Sequence, residues 1–320
     1  MITLLESVDV RPSTVIAVDV GGTMVKGALV RGGAIVARAE RSTFHHAAGA
    51  MSTIELVVDE LLFTSDMAGS RATSIGVACP GSVHAGSGRV RNAVNLGWED
   101  EPVAERLRAT FSLPVAIDHD ARAAALAAGA SAGLDRPDTG PAVFIPIGTG
   151  ISASLLLDGV PLTGASGRAG EFGHMRVVPQ GELCACGQHG CLEAYASAGG
   201  IGRRYRAAGG SALLTTEQIV SARAHDAVAQ RVWDEAIDAL ATGITAVTAL
   251  FDPLCILLGG GLSRAGDALL LPVREAVGRS LAWRPLPSIQ ISALGPDAGL
   301  LGAALLTRAL RTTSQNQEMT

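Results

Sequence analysis

The sequence predicts an α/β protein made of two related lobes with a cleft between them. Four apolar runs end in glycine-rich turns, as strands commonly do in α/β proteins: TVIAVDVGGT, SIGVACPG, AVFIPIGTG and CILLGGG. The first and third runs each continue into another apolar run, so one strand–turn–strand pattern occurs twice. This repetition indicates two lobes of similar topology.

The remaining elements follow in order along the chain. After DVGGT, the runs MVKGALV and AIVARAER predict an antiparallel meander, and MSTIELVVDELL has the apolar spacing of a helix. VAIDHDARAAALAAGASAG indicates a strand that runs directly into an alanine-rich helix. A long helix ends near Pro253, and DAGLLGAALLTRAL predicts another helix before a polar tail. We therefore expect a small lobe over residues 1–118, completed by a C-terminal helix at 298–312, and a large lobe over 119–297.

Composition excludes several classes of protein. The chain has 320 residues with 48% hydrophobic residues, but its apolar runs are too short to span a bilayer. The net charge is −5 and there is no dense Lys/Arg tract, so neither a nucleic-acid partner nor a membrane partner is expected. The N-terminal segment lacks the pattern of a signal peptide, which predicts a cytoplasmic protein.

Three glycine turns are candidates for binding the phosphates and base of a nucleotide. Exposed backbone N–H groups in such turns bind anions, although each turn alone is also typical of an ordinary tight connection. The P-loop sequence G-x-x-x-x-G-K-[ST] does not occur. Asp19 stands just before the first turn and suits a Mg²⁺ ion held through water. The candidate nucleotide-binding residues are Asp19, Gly21, Gly22, Thr23, Gly148, Thr149, Gly150, Gly260 and Gly261.

A histidine and three cysteines stand close together in EFGHMRVVPQGELCACGQHGCLEAYAS, with the spacing His174-x9-Cys184-x-Cys186-x4-Cys191. One imidazole and three thiolates form a closed tetrahedral zinc site, so the metal is predicted to be structural. The alternatives are a redox or packing cluster and a disulfide, but a Cys-x-Cys pair is poorly placed for a relaxed disulfide. Glu171 and Glu193 bracket this segment.

The sequence DHDARAAA places Asp118, His119 and Asp120 where a strand passes into a helix. Phosphoryl transfer to a hydroxyl needs positioning, charge neutralisation and a base. Asp120 could supply the base, whereas its ordinary role at this position would be a helix N-cap.

These motifs together resemble the ROK family of repressors and sugar kinases. DVGGT, PG at 80–81, NLGW at 95–98, D-x-D before an alanine-rich helix, GTG, EFGH, CxCGxxGCxE and GGG occur in the family's order. The resemblance implies a two-lobed actin-like ATPase (ribonuclease H-like) fold, ATP with Mg²⁺ and a homodimer or homotetramer. It also implies that Asp120 accepts the proton of a sugar 6-hydroxyl. The sugar contacts that it implies are Gly81, His119, Asp120, Glu171, His174 and Glu193.

One departure from the family concerns the sugar. Sugar kinases of the group usually have asparagine before the catalytic aspartate, and here the residue is His119. A neutral imidazole has its donor and acceptor on opposite edges of a larger ring than the amide. We therefore expect a glucose relative altered near C3, such as the amino sugar kanosamine.

Two further functions stay open. The chain could be a sugar-responsive regulator without activity, or a glucokinase that uses polyphosphate. The family's repressors carry a helix-turn-helix domain before the first glycine turn, and only eighteen residues precede Asp19 here. The kinase is therefore favoured, with ATP, Mg²⁺ and structural Zn²⁺ as expected cofactors.

Overall fold

The computed structural model describes residues 13–44, 49–136 and 138–310. The predicted N-terminal features, the last two residues of the C-terminal helix and the polar tail lie outside them. The chain forms two compact units. The first extends to Ser131 and includes Thr163–Arg168 and the chain from Asp297, and the second comprises Ala132–Leu162 and Ala169–Pro296.

The first unit is built on a five-stranded sheet in the order β3-β2-β1-β4-β8, with a small antiparallel sheet of β5, β6 and β7 beside it. β1, β2 and β3 are antiparallel, whereas β1, β4 and β8 are parallel. The strands are β1 (Thr14–Val20), β2 (Met24–Arg31), β3 (Ala34–Ser42), β4 (Ala72–Cys79), β5 (Ser82–His84), β6 (Arg89–Ala93), β7 (Trp98–Glu101) and β8 (Val115–His119).

Helices cover both faces of this sheet, which explains why β1 is continuously apolar from Val15 to Val18. Ile16 and Val18 belong to the core under α1, and Val15 and Ala17 belong to the core under α9, as the alternation of side chains in a strand requires. The helices of the unit are α1 (Ala50–Met67), α2 (Val103–Phe111), α3 (Asp120–Ser131) and α9 (Ala298–Leu306).

The contact between α3 and α9 changes the predicted boundary between the lobes. α9 packs on β1 and β4 and also lies against α3. A Cβ atom on Gly302 would overlap the carbonyl of Ala123, so the two backbones meet without an intervening side chain. The second unit therefore begins at Ala132 and not at residue 119, because α3 is packed into the first unit by α9.

The second unit repeats the topology of the first. Its sheet has the order β11-β10-β9-β12-β13, with β9, β10 and β11 antiparallel and β9, β12 and β13 parallel. The predicted repeat of strand–turn–strand is thus a repeat of whole sheets. The strands are β9 (Ala142–Pro146), β10 (Ser154–Leu157), β11 (Val160–Pro161), β12 (Cys255–Gly259) and β13 (Ser288–Ile291).

The long helix α7 organises the second unit. Its first turn is capped by the Asp226 carboxylate, which accepts from the backbone N–H groups of Val228 and Ala229. It ends at Phe251, followed by Asp252 in the left-handed region and by Pro253. Within the described residues, no helix is long and apolar enough to cross a membrane. The helices of the unit are α4 (Leu192–Ala196), α5 (Ala198–Ala207), α6 (Thr216–Ala222), α7 (Ala227–Phe251) and α8 (Asp267–Ser280).

Candidate active site

Two parallel strands of the first unit carry an acidic residue near their carboxyl ends: Asp19 on β1 and Asp118 on β8. β1, β4 and β8 run side by side, with Asp19 opposite Ala78 and Ala78 opposite Asp118. The pKa of Asp19 is raised to about 6, mainly by burial and then by the nearby negative charge of Asp120, against a smaller opposing effect of Lys26. Asp19 and Asp120 therefore share one electrostatic environment at the carboxyl ends of the strands.

The first glycine turn closes the β1–β2 hairpin. The N–H of Gly21 donates to the carbonyl of Met24 over 2.9 Å. The Thr43 hydroxyl donates to the carbonyl of Gly21 over 2.7 Å, and the Thr43 N–H donates to the carbonyl of Thr23. Gly22 and Thr23 are exposed. Two hydrogen bonds from Thr43 thus fix the predicted phosphate-binding turn. The sequence motifs did not identify Thr43.

The end of β8, just before the catalytic candidate Asp120, is fixed by an ion pair between Asp118 and Arg122. Arg122 is almost fully buried, and its Nε and Nη2 donate to Asp118 Oδ1 over 2.8 and 2.5 Å. It also donates to the carbonyls of Val83 and Gly167. The guanidinium therefore ties α3 to β5 and to the segment Thr163–Arg168. Sequence inspection missed Arg122, although the i,i+4 spacing of Asp118 and Arg122 is a usable signal.

Asp120 begins α3 and keeps a partly open carboxylate, with 42% of its side chain exposed. Its Oδ1 accepts from the N–H of Ala121 over 2.6 Å. The Nδ1 atom of His119 lies 3.1 Å from the same oxygen. Asp120 is thus oriented by its neighbours while it retains access to solvent, as a catalytic base requires.

Gly81 and Cys79 occupy the end of β4 in the same unit. Gly81 has a φ of 90°, and a Cβ atom there would overlap the carbonyl of Asn92, so only glycine suits this turn. Cys79 is fully buried. Burial raises the pKa of its thiol, and the charges of Asp120 and Asp19 add to the effect. Cys79 is therefore a neutral packing residue.

In the second unit, the other two glycine turns lie next to each other. Ile147 stands between them, because its N–H donates to Gly259 and its carbonyl accepts from Leu262. Gly260 has a φ of 76° and touches the backbone of Ile147 so closely that a Cβ atom would overlap it. The structure thus brings the 148–150 and 260–261 turns together, as neighbouring parallel strands should.

An open surface depression of about 640 Å³ lies beside α6, the helix that contacts the 3₁₀ turn Gly261–Ala265. It is lined by Thr215, Glu217, Gln218, Ser221 and Ala222. No sequence motif indicated these residues.

Glu193, a predicted sugar-binding residue, is hydrogen-bonded to the main chain beside the GTG turn at 148–150. Its Oε2 accepts from the N–H of Ile151 over 3.0 Å, immediately after the turn at 148–150. A Cβ atom on Gly150 would collide with the same carboxylate oxygen. Glu193 is therefore partly buried and fixed in place, whereas Glu171 is exposed.

The four predicted zinc ligands lie together. Their ligand atoms are all within 4.8 Å of one another. The sulfurs of Cys186 and Cys191 are 3.7 Å apart, and His174 Nδ1 is 3.9 Å from the sulfur of Cys184. Zn–S bonds of about 2.3 Å in a tetrahedron require an S···S edge of about 3.8 Å. The residues therefore fit a zinc ion. The other ring nitrogen of His174 lies 3.8 Å from Glu171 Oε2.

The thiols of this cluster differ in their surroundings. Burial raises the pKa of Cys191 to about 12, whereas hydrogen bonding by the backbone of Gln188 lowers the pKa of Cys186. Cys186 is exposed, and Cys191 is buried.

An arginine pair braces the segment that carries the cysteines. Glu182 accepts from Arg203 over 3.1 Å and from Arg204 over 2.6 Å. The Arg204 guanidinium also lies 4.5 Å from the ring centroid of Tyr195 and pairs with Glu235 on α7. The segment is thus held to α5 and α7 by side chains as well as by its own cluster.

The chain is similar to known proteins over most of its length. Residues 15–309 match the ROK family. The glucokinase of Halalkalibacterium halodurans is 34% identical over 319 residues, covering 92% of this chain and 94% of that protein. A ROK family glucokinase from Streptomyces griseus, solved in complex with glucose and AMPPNP, is 32% identical. It has a TM-score of 0.80 over 93% of this chain and 100% of its own.

A regulator of the family is also similar in structure. A ROK family transcriptional regulator, homologous to the E. coli MLC protein, is 28% identical with a TM-score of 0.82. The comparison covers 93% of this chain and 78% of that protein.

The two sheets of equivalent order define the actin-like ATPase fold that the sequence predicted, and that prediction is confirmed. The chain belongs to the ROK family.

Proposed function

We propose that the protein is an ATP-dependent kinase that phosphorylates the 6-hydroxyl of a glucose-type hexose. The observation that carries the proposal is Asp120, a half-exposed carboxylate fixed at the start of α3. A base so placed can accept the proton of a sugar hydroxyl as its oxygen attacks phosphorus. The similarity to glucokinases over nearly the whole chain supports the same function.

The three glycine turns supply the phosphate contacts. Gly22 and Thr23 are exposed in the first unit, and Thr149 and Gly261 are exposed in the second. Backbone N–H groups and hydroxyls in such turns neutralise phosphate charge without carrying a formal charge. The nucleoside is proposed to lie against the open depression beside α6, where Glu217 and Gln218 offer polar groups.

Mg²⁺ would neutralise phosphate charge beside Asp19. The raised pKa of Asp19 fits this role, because a buried carboxylate near a second acid gains most from a cation.

The zinc ion is proposed to be structural. The four ligands leave no open coordination position, so the metal would shape the segment between Glu171 and Glu193 without taking part in the reaction. With Nδ1 facing the cysteines, His174 keeps its second nitrogen for a sugar hydroxyl. Glu171 and Glu193 supply further acceptors for hydroxyls.

The preferred sugar is proposed to be a glucose relative altered near C3, such as the amino sugar kanosamine. His119 in place of the usual asparagine supports this choice, because a neutral imidazole can accept a hydrogen bond from an ammonium group at C3.

A coupled assay of ADP release over hexoses and amino-hexoses tests the function. We expect activity with glucose-type sugars and a loss of at least about a thousandfold in kcat for Asp120→Asn. The matched control is Asp59→Asn, an exposed carboxylate on α1, which should keep wild-type turnover. Wild-type turnover by Asp120→Asn would refute the base. Sugar binding without turnover by either ATP or polyphosphate would identify a regulator, and turnover only with polyphosphate would replace the donor.

A further inference from the structure

Thr43 is a fully buried residue directly after β3 that is hydrogen-bonded on three sides. Its hydroxyl donates to the carbonyl of Gly21 over 2.7 Å, and its N–H donates to the carbonyl of Thr23 over 2.9 Å. Its own carbonyl accepts from the hydroxyl of Thr53 on α1 over 3.0 Å, and Thr53 is fully buried as well. Thr43 therefore connects the first glycine turn to α1 from the buried side of the turn.

The hydrogen bond from the Thr43 hydroxyl fixes the direction of one peptide group in this turn. The peptide between Gly21 and Gly22 is trans, so the carbonyl of Gly21 and the N–H of Gly22 point in opposite directions. Because the carbonyl points toward a fully buried side chain, the N–H points away from it, and Gly22 is exposed. The turn therefore directs the positive end of this peptide dipole outward, as an anion-binding turn requires.

The sequence of the turn does not fix this orientation by itself. Reversing a peptide group changes ψ of the residue before it and φ of the residue after it, and glycine tolerates such changes because it has no Cβ atom. Gly21 must stay glycine, since a Cβ atom there would lie 2.9 Å from the carbonyl oxygen of Met24. The two glycines that permit the turn thus also permit the reversed peptide, which would direct a carbonyl oxygen at the phosphates.

We propose that Thr43 is a positioning residue that holds the peptide between Gly21 and Gly22 in its anion-binding orientation. It acts through the peptide and does not touch the phosphates. The proposal rests on the proposed function, in which this turn binds the phosphates of the donor. Removal of the hydroxyl alone should therefore weaken binding of the donor and leave binding of the sugar nearly unchanged.

Calorimetric titration with AMPPNP and Mg²⁺ tests this role without any turnover. Thr43→Val replaces the hydroxyl by a methyl group, which cannot donate to the Gly21 carbonyl, so the orientation that binds is less populated. We expect AMPPNP to bind about five- to tenfold more weakly to this variant. Thr43→Ser keeps the hydroxyl and should bind AMPPNP within about twofold of the wild type. The affinity for glucose should change less than about twofold in both variants.

Ser65→Ala is the control that separates this role from a general loss of stability. Ser65 is also fully buried in the first unit, and its hydroxyl donates to the carbonyl of Leu62 over 2.9 Å near the other end of α1. Its removal should lower the free energy of unfolding, as Thr43→Val does, but leave AMPPNP binding at the wild-type level. Equal AMPPNP affinity in the wild type and Thr43→Val, or an equal loss in Thr43→Val and Ser65→Ala, would overturn the proposal.

A crystal structure of Thr43→Val examines the peptide itself. We expect the carbonyl of Gly21 to be reversed or to occupy two orientations, and a single unchanged orientation would overturn the proposal. A wild-type protein that binds neither AMPPNP nor polyphosphate would overturn the proposed function together with this role. A wild type that binds AMPPNP, but no more tightly than Thr43→Val does, would overturn the role of Thr43 alone.

Discussion

At the scale of single residues, the first unit combines carboxylates that repel one another. Asp19 is largely buried near Asp120, and its pKa is raised to about 6. A raised pKa means that the folded protein binds this proton more tightly than the unfolded chain does. Folding free energy is therefore lost as the pH rises from about 4 through about 6, and the loss is complete above that range. A cation bound beside Asp19 would offset this loss of stability by stabilising the ionised carboxylate.

Replacing Asp19 by asparagine should stabilise the protein in a pH-dependent way. Asparagine does not titrate, so Asp19→Asn avoids the cost of an ionised buried carboxylate. We expect a gain of about 1–3 kcal/mol in the free energy of unfolding at pH 8, and a smaller gain at pH 5. Urea unfolding between pH 5 and 8, without added Mg²⁺, measures it. The exposed control Asp59→Asn should show no such trend, and a gain that stays constant with pH would contradict the assignment.

The buried pair of Asp118 and Arg122 should reveal its role when only one partner is removed. Arg122→Met leaves an unpaired buried carboxylate, which costs about 3–5 kcal/mol of unfolding free energy. The double variant Asp118→Asn with Arg122→Met should recover part of that loss. Chemical denaturation provides the comparison. Arg279→Ala breaks an exposed i,i+4 pair with Glu275 and should cost less than about 1 kcal/mol. Equal effects at the two sites would rule out a special role for Arg122.

At the scale of elements, the cysteine-rich segment is held at several points. The side chains of His174 and the three cysteines lie together, and Arg203 and Arg204 donate hydrogen bonds to Glu182. Glu193 follows directly in α4 and reaches the GTG turn. The position of its carboxylate therefore depends on how the preceding segment is folded.

Loss of one ligand should release the metal and weaken sugar binding more than ATP binding. Cys186→Ser removes an exposed ligand with little loss of packing. We expect bound zinc to fall well below about one ion per chain, and the KM for sugar to rise about tenfold. Elemental analysis and steady-state kinetics measure these. His189→Ala, in the same segment but outside the ligand group, should keep the metal. Zinc-free wild-type protein with full activity would contradict the structural role.

The sequence predicted the strands, helices and turns better than the contacts between them. Strands that end in glycine indicated the turns at 19–23, 148–150 and 259–261, because these features are local. The ligand cluster was also predictable, since its spacing lies within eighteen residues. The packing of α3 against α9 and the link from Glu193 to Ile151 join distant positions. A single sequence has no local signal for such contacts, which is why the predicted boundary at residue 119 differs from the division at Ala132.

At the scale of the whole molecule, a helix from the end of the chain completes the unit at its beginning. α9 packs on β1, β4 and α3, and its glycine at 302 meets the backbone of Ala123. The first unit therefore cannot finish its core until nearly all of the chain has been synthesised.

Adding a side chain at Gly302 should destabilise the protein by separating two packed helices. Gly302→Val forces α3 and α9 apart, and we expect a loss of about 2–3 kcal/mol. Thermal and urea unfolding measure it. Gly278 in α8 is the matched control, because a Cβ atom there would meet nothing within 4 Å. Gly278→Ala should be neutral or stabilise by up to about 1 kcal/mol. A neutral Gly302→Val would show that the helices separate easily.

The hydrogen bond between Glu193 and Ile151 limits how the enzyme can be redesigned. Under the proposed function Glu193 binds the acceptor sugar, and its carboxylate also accepts from the N–H of Ile151, directly after the turn at 148–150. Substitutions that retune acceptor choice at 193 should therefore also alter affinity for the phosphate donor. Glu171, whose side chain is 59% exposed, makes no such hydrogen bond to the turn within the described part of the chain. Laboratory evolution toward new sugars should consequently collect its changes at 171 and spare 193.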